Sequence, residues 1–412
     1  MTEKAEKYKL HRGLYDLLKG ITQPGMMKMM ADWLGAVFSA VDEGKPILFN
    51  QFTVFSELMV ALDIVPLPPE LWQSSQLNVD ANACCESIDA AEEAGIHPEL
   101  CSANKAIIGD IMLDKIPPPS MVVLPTFPCD NSKITYQAVA HLTGAPTYFL
   151  DCPYWMDEGE AMDYWVNQYK GLISFLEKHS EKKLDYDRLK EVAEESNRCL
   201  DYWLEGLELL KLKPLPLNGP FASGYLAGLT ALGTPAATEA VKASLDELRS
   251  RVDKGETAVP EEKTRVIWFY YPVFWDAGLG DWMAQMGAVT ASGLVGYFNV
   301  EPIDTSTPES TIRGLARRAL DTPMGRQGRG ASDLWIDDCL RAVEEWKGDC
   351  VILAGHPGCK WLMGCYGLFR DIARERGIPV LLWDVDLFDP RPCSGEESRA
   401  RIEPFLNTIM AR

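Results

Sequence analysis

Two cysteines stand at equivalent places in this chain. Cys129 follows an apolar run that begins at Met121 and precedes a helical pattern broken at Gly144-Ala-Pro146, after which a second apolar run closes at Asp151. Cys359 follows the run Val351 to Ala354 and the loop Gly355-His-Pro-Gly358. It precedes an amphipathic pattern from Lys360 to Arg376, which Gly377 stops before a last apolar run ends at Asp384. From cysteine to closing aspartate is 22 residues in the first unit (129 to 151) and 25 in the second (359 to 384). Each unit reads as strand–loop–helix–strand, the building block of a parallel sheet. Each puts its thiol between a strand end and a helix start, the crevice where open α/β sheets bind ligands. A thiol there is either a small core residue or a thiolate favoured by the helix dipole and able to hold a metal. Its repetition in two units favours ligation.

The rest of the chain must position these loops. We expect an α/β protein with two Rossmann- or flavodoxin-like parallel-sheet domains, a helical N-terminal region and a helical connector. The expected parts are residues 1–45 (helical), 46–157 (first α/β domain, with Cys101 and Cys129), 158–262 (helical connector) and 263–412 (second α/β domain, with Cys359). Thr53 to Leu62 reads as helical, Ile64 to Glu70 as a short strand entering a Pro-rich loop, and residues 84–113 as two helical pieces broken at Gly95 to Pro98. Glu158 to about Leu210 reads as charged and helical, and residues 313–330 as a basic, Gly-containing island.

Bulk numbers exclude several classes. At 412 residues and 47% hydrophobic the chain can bury more than one core. A net charge of −20 argues against nucleic acid or an anionic membrane as partner. No apolar run reaches transmembrane length. Met1 to Gly13 shows no hydrophobic segment behind a basic one, so we expect no secretion signal and a cytoplasmic location. The eleven cysteines are therefore expected to bind metal, catalyse or pack rather than form disulfides. No zinc-ribbon CxxC pair, HExxH or GxxxxGK[ST] is present.

Four further pieces extend the pattern: Glu99-Leu-Cys101, the strand into Cys129-Asp-Asn131, Gly358-Cys-Lys360, and Asp384-x-Asp386-x-x-Asp389-Pro-Arg391, followed by Arg401-Ile-Glu403. In order and spacing they resemble the 2-hydroxyacyl-CoA dehydratase family, which also contains the benzoyl-CoA reductase iron–sulfur subunits. The similarity runs from about residue 45 to the end. Beside Cys129 the chain departs from the dehydratases, with Pro125-Thr-Phe-Pro128 where they carry a Cys- and Asn-rich run, and its His356-Pro-Gly358 is unusual.

The resemblance implies a [4Fe-4S] cluster held by three cysteines, which fall on Cys101, Cys129 and Cys359. Three ligands for four irons leave one iron open, the arrangement that makes a metal site catalytic. The implied reaction is loss of water from a 2-hydroxyacyl-CoA thioester through a ketyl radical, redox-neutral overall. A separate ATP-hydrolysing iron–sulfur activator supplies the electron, and a related second subunit or a second copy completes a dimer. Glu70 aligns with a glutamate near the family's active site, where a carboxylate could move protons. Thr53 lies near a serine position of the dehydratases. The alternatives are a benzoyl-CoA reductase-type subunit, a double-cubane cluster reductase with about eight irons, or an iron–sulfur electron-transfer subunit with no substrate of its own.

Other residues keep two readings each. His356 could shuttle protons or hold its loop. Arg313, Arg317, Arg318, Arg326 and Arg329 could grip CoA phosphates or form a solvated helix face. Asp384, Asp386 and Asp389 are expected to shape a strand end, with Arg391 as partner. Trp268, Tyr270, Tyr271, Phe274 and Trp275 are expected in the core, with Tyr271 to Trp275 able to line an acyl pocket.

Overall fold

The structure is a computed structural model that describes residues 7–51, 53–154, 159–219, 223–293 and 300–411. Two four-stranded parallel sheets organise it. The first contains β1 (Ile47–Phe49), β2 (Val65–Pro66), β3 (Met121–Pro125) and β4 (Thr147–Leu150), in the order β2-β1-β3-β4. The second contains β5 (Thr264–Phe269), β6 (Ala288–Gly293), β7 (Cys350–Gly355) and β8 (Val380–Asp384), in the order β6-β5-β7-β8. The two orders are the same. Each sheet reverses its winding between its first and third strands, where Leu48 pairs with Met121 and Val266 with Cys350. Ligands of such sheets bind outside the strand ends at that reversal.

Alternation along β3 shows how the first sheet is buried. Met121 and Val123 face a core with Trp165, Tyr169 and Leu315, while Val122 and Leu124 face another with Trp33, Trp72 and Tyr136. Both faces are covered, as a parallel sheet requires, so the strands read as unbroken apolar runs. The second sheet shares one core with helices Tyr186–Leu209 and Pro235–Asp253 and with the C-terminal helix Gly395–Met410, through Leu207, Leu245 and Leu406. Helix Glu160–Ser180 instead packs Trp165 and Leu172 in the core of the first sheet. Helix Pro308–Asp321, which follows β6 in sequence, also packs there through Ile312 and Leu315.

The structure corrects several local expectations. The Pro-rich loop after β2 is a helix, Pro69–Leu77. Three prolines mask it, yet Pro69 stands at its start, where a missing N–H costs nothing. The helix expected over Thr53 to Leu62 is confined to Glu57–Ala61, since the Ser56 N–H donates to the carbonyl of Gly228 instead of continuing a helix. The helical stretch expected from Glu158 to about Leu210 comprises two helices, Glu160–Ser180 and Tyr186–Leu209. The split falls where the Asp185 side chain accepts from the N–H groups of Asp187 and Arg188 and starts the second helix. Helix Ser223–Thr230 carries no clear amphipathic period, and its burial against the rest of the fold makes it.

The arginine island is helical, in Pro308–Asp321 and Pro323–Gly328. Three of its arginines form ion pairs within the protein: Arg313 with Asp163, Arg317 with Asp321, and Arg326 with Asp338. Arg318 is no surface residue. It lies 2.7 Å from Glu57 with both side chains 2% exposed, and it also reaches Ser196 and Asn197.

Candidate functional site

Helix Cys85–Glu93 begins at a cysteine, with Cys84 as N-cap, and so do the three helices that carry the candidate ligands. Cys101 is the N-cap of Ser102–Met112, Cys129 of Asp130–Thr143, and Cys359 of Lys360–Glu375. Natural N-caps favour Ser, Thr, Asp or Asn, whose oxygens accept from the first free N–H groups. At Cys129 a sulfur takes that place, accepting from the Ser132 N–H at 3.4 Å. The positive ends of three helix dipoles therefore point at thiols, and such ends favour anions. Cys129 follows β3 and Cys359 follows β7, so both stand at the reversal points of their sheets.

The loops carrying the three cysteines touch one another. The backbone of Gly358 lies against that of Cys101 so closely that an added Cβ would sit 2.6 Å from the Cys101 Cα and 2.8 Å from its nitrogen. Asn131 Nδ2 donates to the Gly358 carbonyl at 2.6 Å. Ser102 Oγ donates to Asp386 at 2.5 Å, and Asp386 also accepts the N–H groups of Phe388 and Asp389. Asp389 in turn holds Arg391 at 2.7 Å, and Asp384 accepts from the Tyr366 hydroxyl. The acidic C-terminal motif thus shapes the end of β8 and fastens it to the Cys101 helix.

Two polar side chains reach the sulfurs. His356 Nε2 lies 3.1 Å from Cys101 Sγ, and its Nδ1 lies 3.8 Å from Asp386. The Tyr270 hydroxyl donates to Cys359 Sγ at 3.2 Å. Tyr270 is buried, as expected, but its tip belongs to the site. It stands just beyond β5 with φ of 95°, a strained conformation for a tyrosine and one that clusters at functional sites. Its position beyond β5, the first strand of the second sheet, was the signal that could have marked it.

Electrostatics set the thiols apart. Burial pushes Cys101 up, but His356 and Asn104 more than offset it, so its pKa lies below the ordinary thiol value. For His356, burial works downward, while the Cys101 thiolate and Asp386 carry the imidazole up to about 9. Burial raises Cys129 to about 12, with the charges of Cys101 and Cys359 adding to it. Burial likewise raises Cys359 to about 11 against the hydrogen bond from Tyr270. Three thiols that repel one another as anions form a donor set that a positively charged metal group would stabilise.

Glu70 lies at the start of its helix, buried, with Tyr136 hydroxyl 3.2 Å from its carboxylate. Burial chiefly, with the charge of Cys101 adding, raises it to about 8 against the Tyr136 hydrogen bond. The native state therefore holds a proton that the unfolded chain releases above about pH 4.3. Stability from this group is full below that value, falls as pH rises to about 8, and is flat beyond. Glu70→Gln is expected to remove that slope, and urea midpoints measured from pH 5 to 9 check it. Thr53 is buried beside Glu57 and Arg318, lining a small void there.

Among the described residues, no three or more His, Cys, Asp or Glu side chains are close enough to share one metal ion. A cluster differs from an ion, because its thiolates bind separate irons. A cavity of about 240 Å³ has Tyr270, whose hydroxyl reaches Cys359, as part of its wall. Pro272, Val273 and Phe274, within the expected aromatic stretch, line it as well.

The sequence model of the family described as 2-hydroxyglutaryl-CoA dehydratase, D-component, matches residues 51–409. The chain belongs to this family. It is 27% identical over 337 residues to the (R)-phenyllactyl-CoA dehydratase alpha subunit of Clostridium sporogenes, covering 78% of this chain and 80% of that one. It is 25% identical over 340 residues to the alpha subunit of lactoyl-CoA dehydratase from Anaerotignum propionicum, covering 79% and 76%. It is 25% identical over 353 residues to a benzoyl-CoA reductase subunit of Thauera aromatica, covering 77% and 78%. This dehydratase-family chain is therefore an enzyme of the acyl-CoA dehydratase and reductase group. Among its described residues no helix is long and apolar enough to cross a membrane.

Proposed function

We propose that this chain is the iron–sulfur subunit of a 2-hydroxyacyl-CoA dehydratase, with a [4Fe-4S] cluster on Cys101, Cys129 and Cys359. One observation carries the reading: three N-cap cysteines lie on chain segments in contact, two of them at the points where the sheets reverse their winding. When bound, the cluster would pass one low-potential electron to and from the thioester carbonyl, so that water leaves with no net redox change.

The protein's own groups do the remaining work. Tyr270 and His356 hold the sulfurs of Cys359 and Cys101 in place. Glu70, kept protonated up to about pH 8, can give or take a proton beside Cys101. Burial of the site excludes water from the thioester. A partner subunit is supported by the relatives' names, each of which denotes one subunit of an assembly. A separate ATP-hydrolysing activator would supply the electron, in keeping with the lack of a GxxxxGK[ST] motif. The reductase reading has support from the comparable identity to the benzoyl-CoA reductase subunit.

The test is anaerobic incubation of the iron-loaded protein with a reduced activator, a candidate partner and 2-hydroxyacyl-CoA thioesters, with benzoyl-CoA alongside. Formation of 2-enoyl-CoA is the expected result. Ring reduction of benzoyl-CoA without any dehydration would replace this reading by the reductase one, and inertness toward every thioester would reject both.

Tyr270→Phe should retain the cluster but shift its reduction potential negative. A hydrogen bond to a ligand sulfur favours the more negatively charged, reduced form. On the order of tens of millivolts is expected from the loss of one such bond, read by a redox titration followed by electron paramagnetic resonance.

A further inference from the structure

The cavity that shares Tyr270 with the thiol site has a mostly apolar lining. Its walls are Trp268, Tyr270, Val273, Phe274, Leu279 and Met283. The amide and carboxylate side chains on it are already engaged. Asn218 accepts the Thr290 N–H at 2.8 Å, and Asn78 donates to the Ser74 carbonyl. Asp276 is held by both terminal nitrogens of Arg399, at 2.7 and 3.1 Å. No Lys, Arg or His stands among the described lining residues.

We infer that this cavity takes the acyl end of the CoA thioester, and that the acyl group is neutral, apolar and about the size of one aromatic ring with a short chain. The inference rests on the CoA-thioester reading given above and narrows its substrate class. Tyr270 connects the two sites, since it lines the cavity and its hydroxyl reaches Cys359. A ring seated here therefore places its chain toward the thiols.

Size and charge both decide. An apolar cavity of roughly 150 Å³ holds one benzene ring, so about 240 Å³ leaves room for a ring and two or three carbons. A one-carbon side chain would leave most of the wall without contact. A second carboxylate would enter an apolar wall, meet the Asp276 anion and find Arg399 already paired. The nucleotide of CoA is too large for this space and lies outside it.

The experiment measures calorimetric binding of three unreactive thioesters to the anaerobic iron-loaded protein, with free CoA as reference. 3-Phenylpropanoyl-CoA is expected to bind about 100-fold tighter than glutaryl-CoA and about 10-fold tighter than propanoyl-CoA. Gly280 lines the cavity, and a Cβ there would have no heavy atom within 4 Å. Gly280→Leu is accordingly expected to erase the phenylpropanoyl advantage while leaving free CoA binding unchanged. Equal or tighter binding of glutaryl-CoA, or an advantage that survives in Gly280→Leu, overturns this inference alone. Failure of every thioester to bind overturns the CoA-thioester reading together with it.

Discussion

Gly358→Ala is expected to separate the Cys359 loop from the Cys101 loop and to strip the protein of iron. The new methyl would lie 2.6 and 2.8 Å from two backbone atoms of Cys101 and 3.2 Å from the carbonyl carbon of Leu100. Backbone in a packed loop cannot rotate aside as a side-chain tip can, so one loop must move bodily. Overpacking of this kind costs about 1–3 kcal/mol in stability, and the movement falls on two of the three proposed ligands. Gly364→Ala is the control. It lies in the helix that Cys359 caps, and a Cβ there meets nothing within 4 Å. That change should keep iron and gain up to about 1 kcal/mol from helix propensity. Iron content and melting temperature of both variants check the pair of expectations, and full iron in Gly358→Ala would show that the loops need not touch.

Arg318→Met should be among the most destabilising single changes away from the thiols. Arg318 and Glu57 are each 2% exposed and 2.7 Å apart, with Ser196 and Asn197 completing the network. Removing the guanidinium leaves a buried carboxylate uncompensated, which costs about 3–5 kcal/mol. The double change Arg318→Met with Glu57→Gln removes both charges and should recover much of that loss. Urea midpoints of the two variants test this. Iron per folded chain should stay near the parent value in the double variant, because the network joins helices Glu57–Ala61, Tyr186–Leu209 and Pro308–Asp321 and contacts none of the three cysteines.

The sequence makes the repeated unit readable because both cysteine loops sit between apolar runs and periodic helices, and local patterns report such neighbours well. Identical strand order in the two sheets agrees with that repetition. Helix Pro69–Leu77 is hidden because prolines at a helix start resemble prolines in a loop. The burial of Arg318 has no local sign. Its partners Glu57 and Ser196 lie 261 and 122 residues away, so only the tertiary fold reveals that a basic island holds a core residue. The reach of Tyr270 to Cys359 is equally non-local, spanning 89 residues across the reversal point of the second sheet.

The central claim is that Cys101, Cys129 and Cys359 hold one iron–sulfur cluster. Iron and acid-labile sulfide, measured on anaerobically purified protein and on the triple Cys101→Ala, Cys129→Ala, Cys359→Ala variant, test it most directly. The account predicts about four of each per chain in the parent and none in the triple variant, with both proteins equally folded by circular dichroism. Iron kept undiminished in the triple variant, or a parent free of iron when freshly prepared without oxygen, would contradict it.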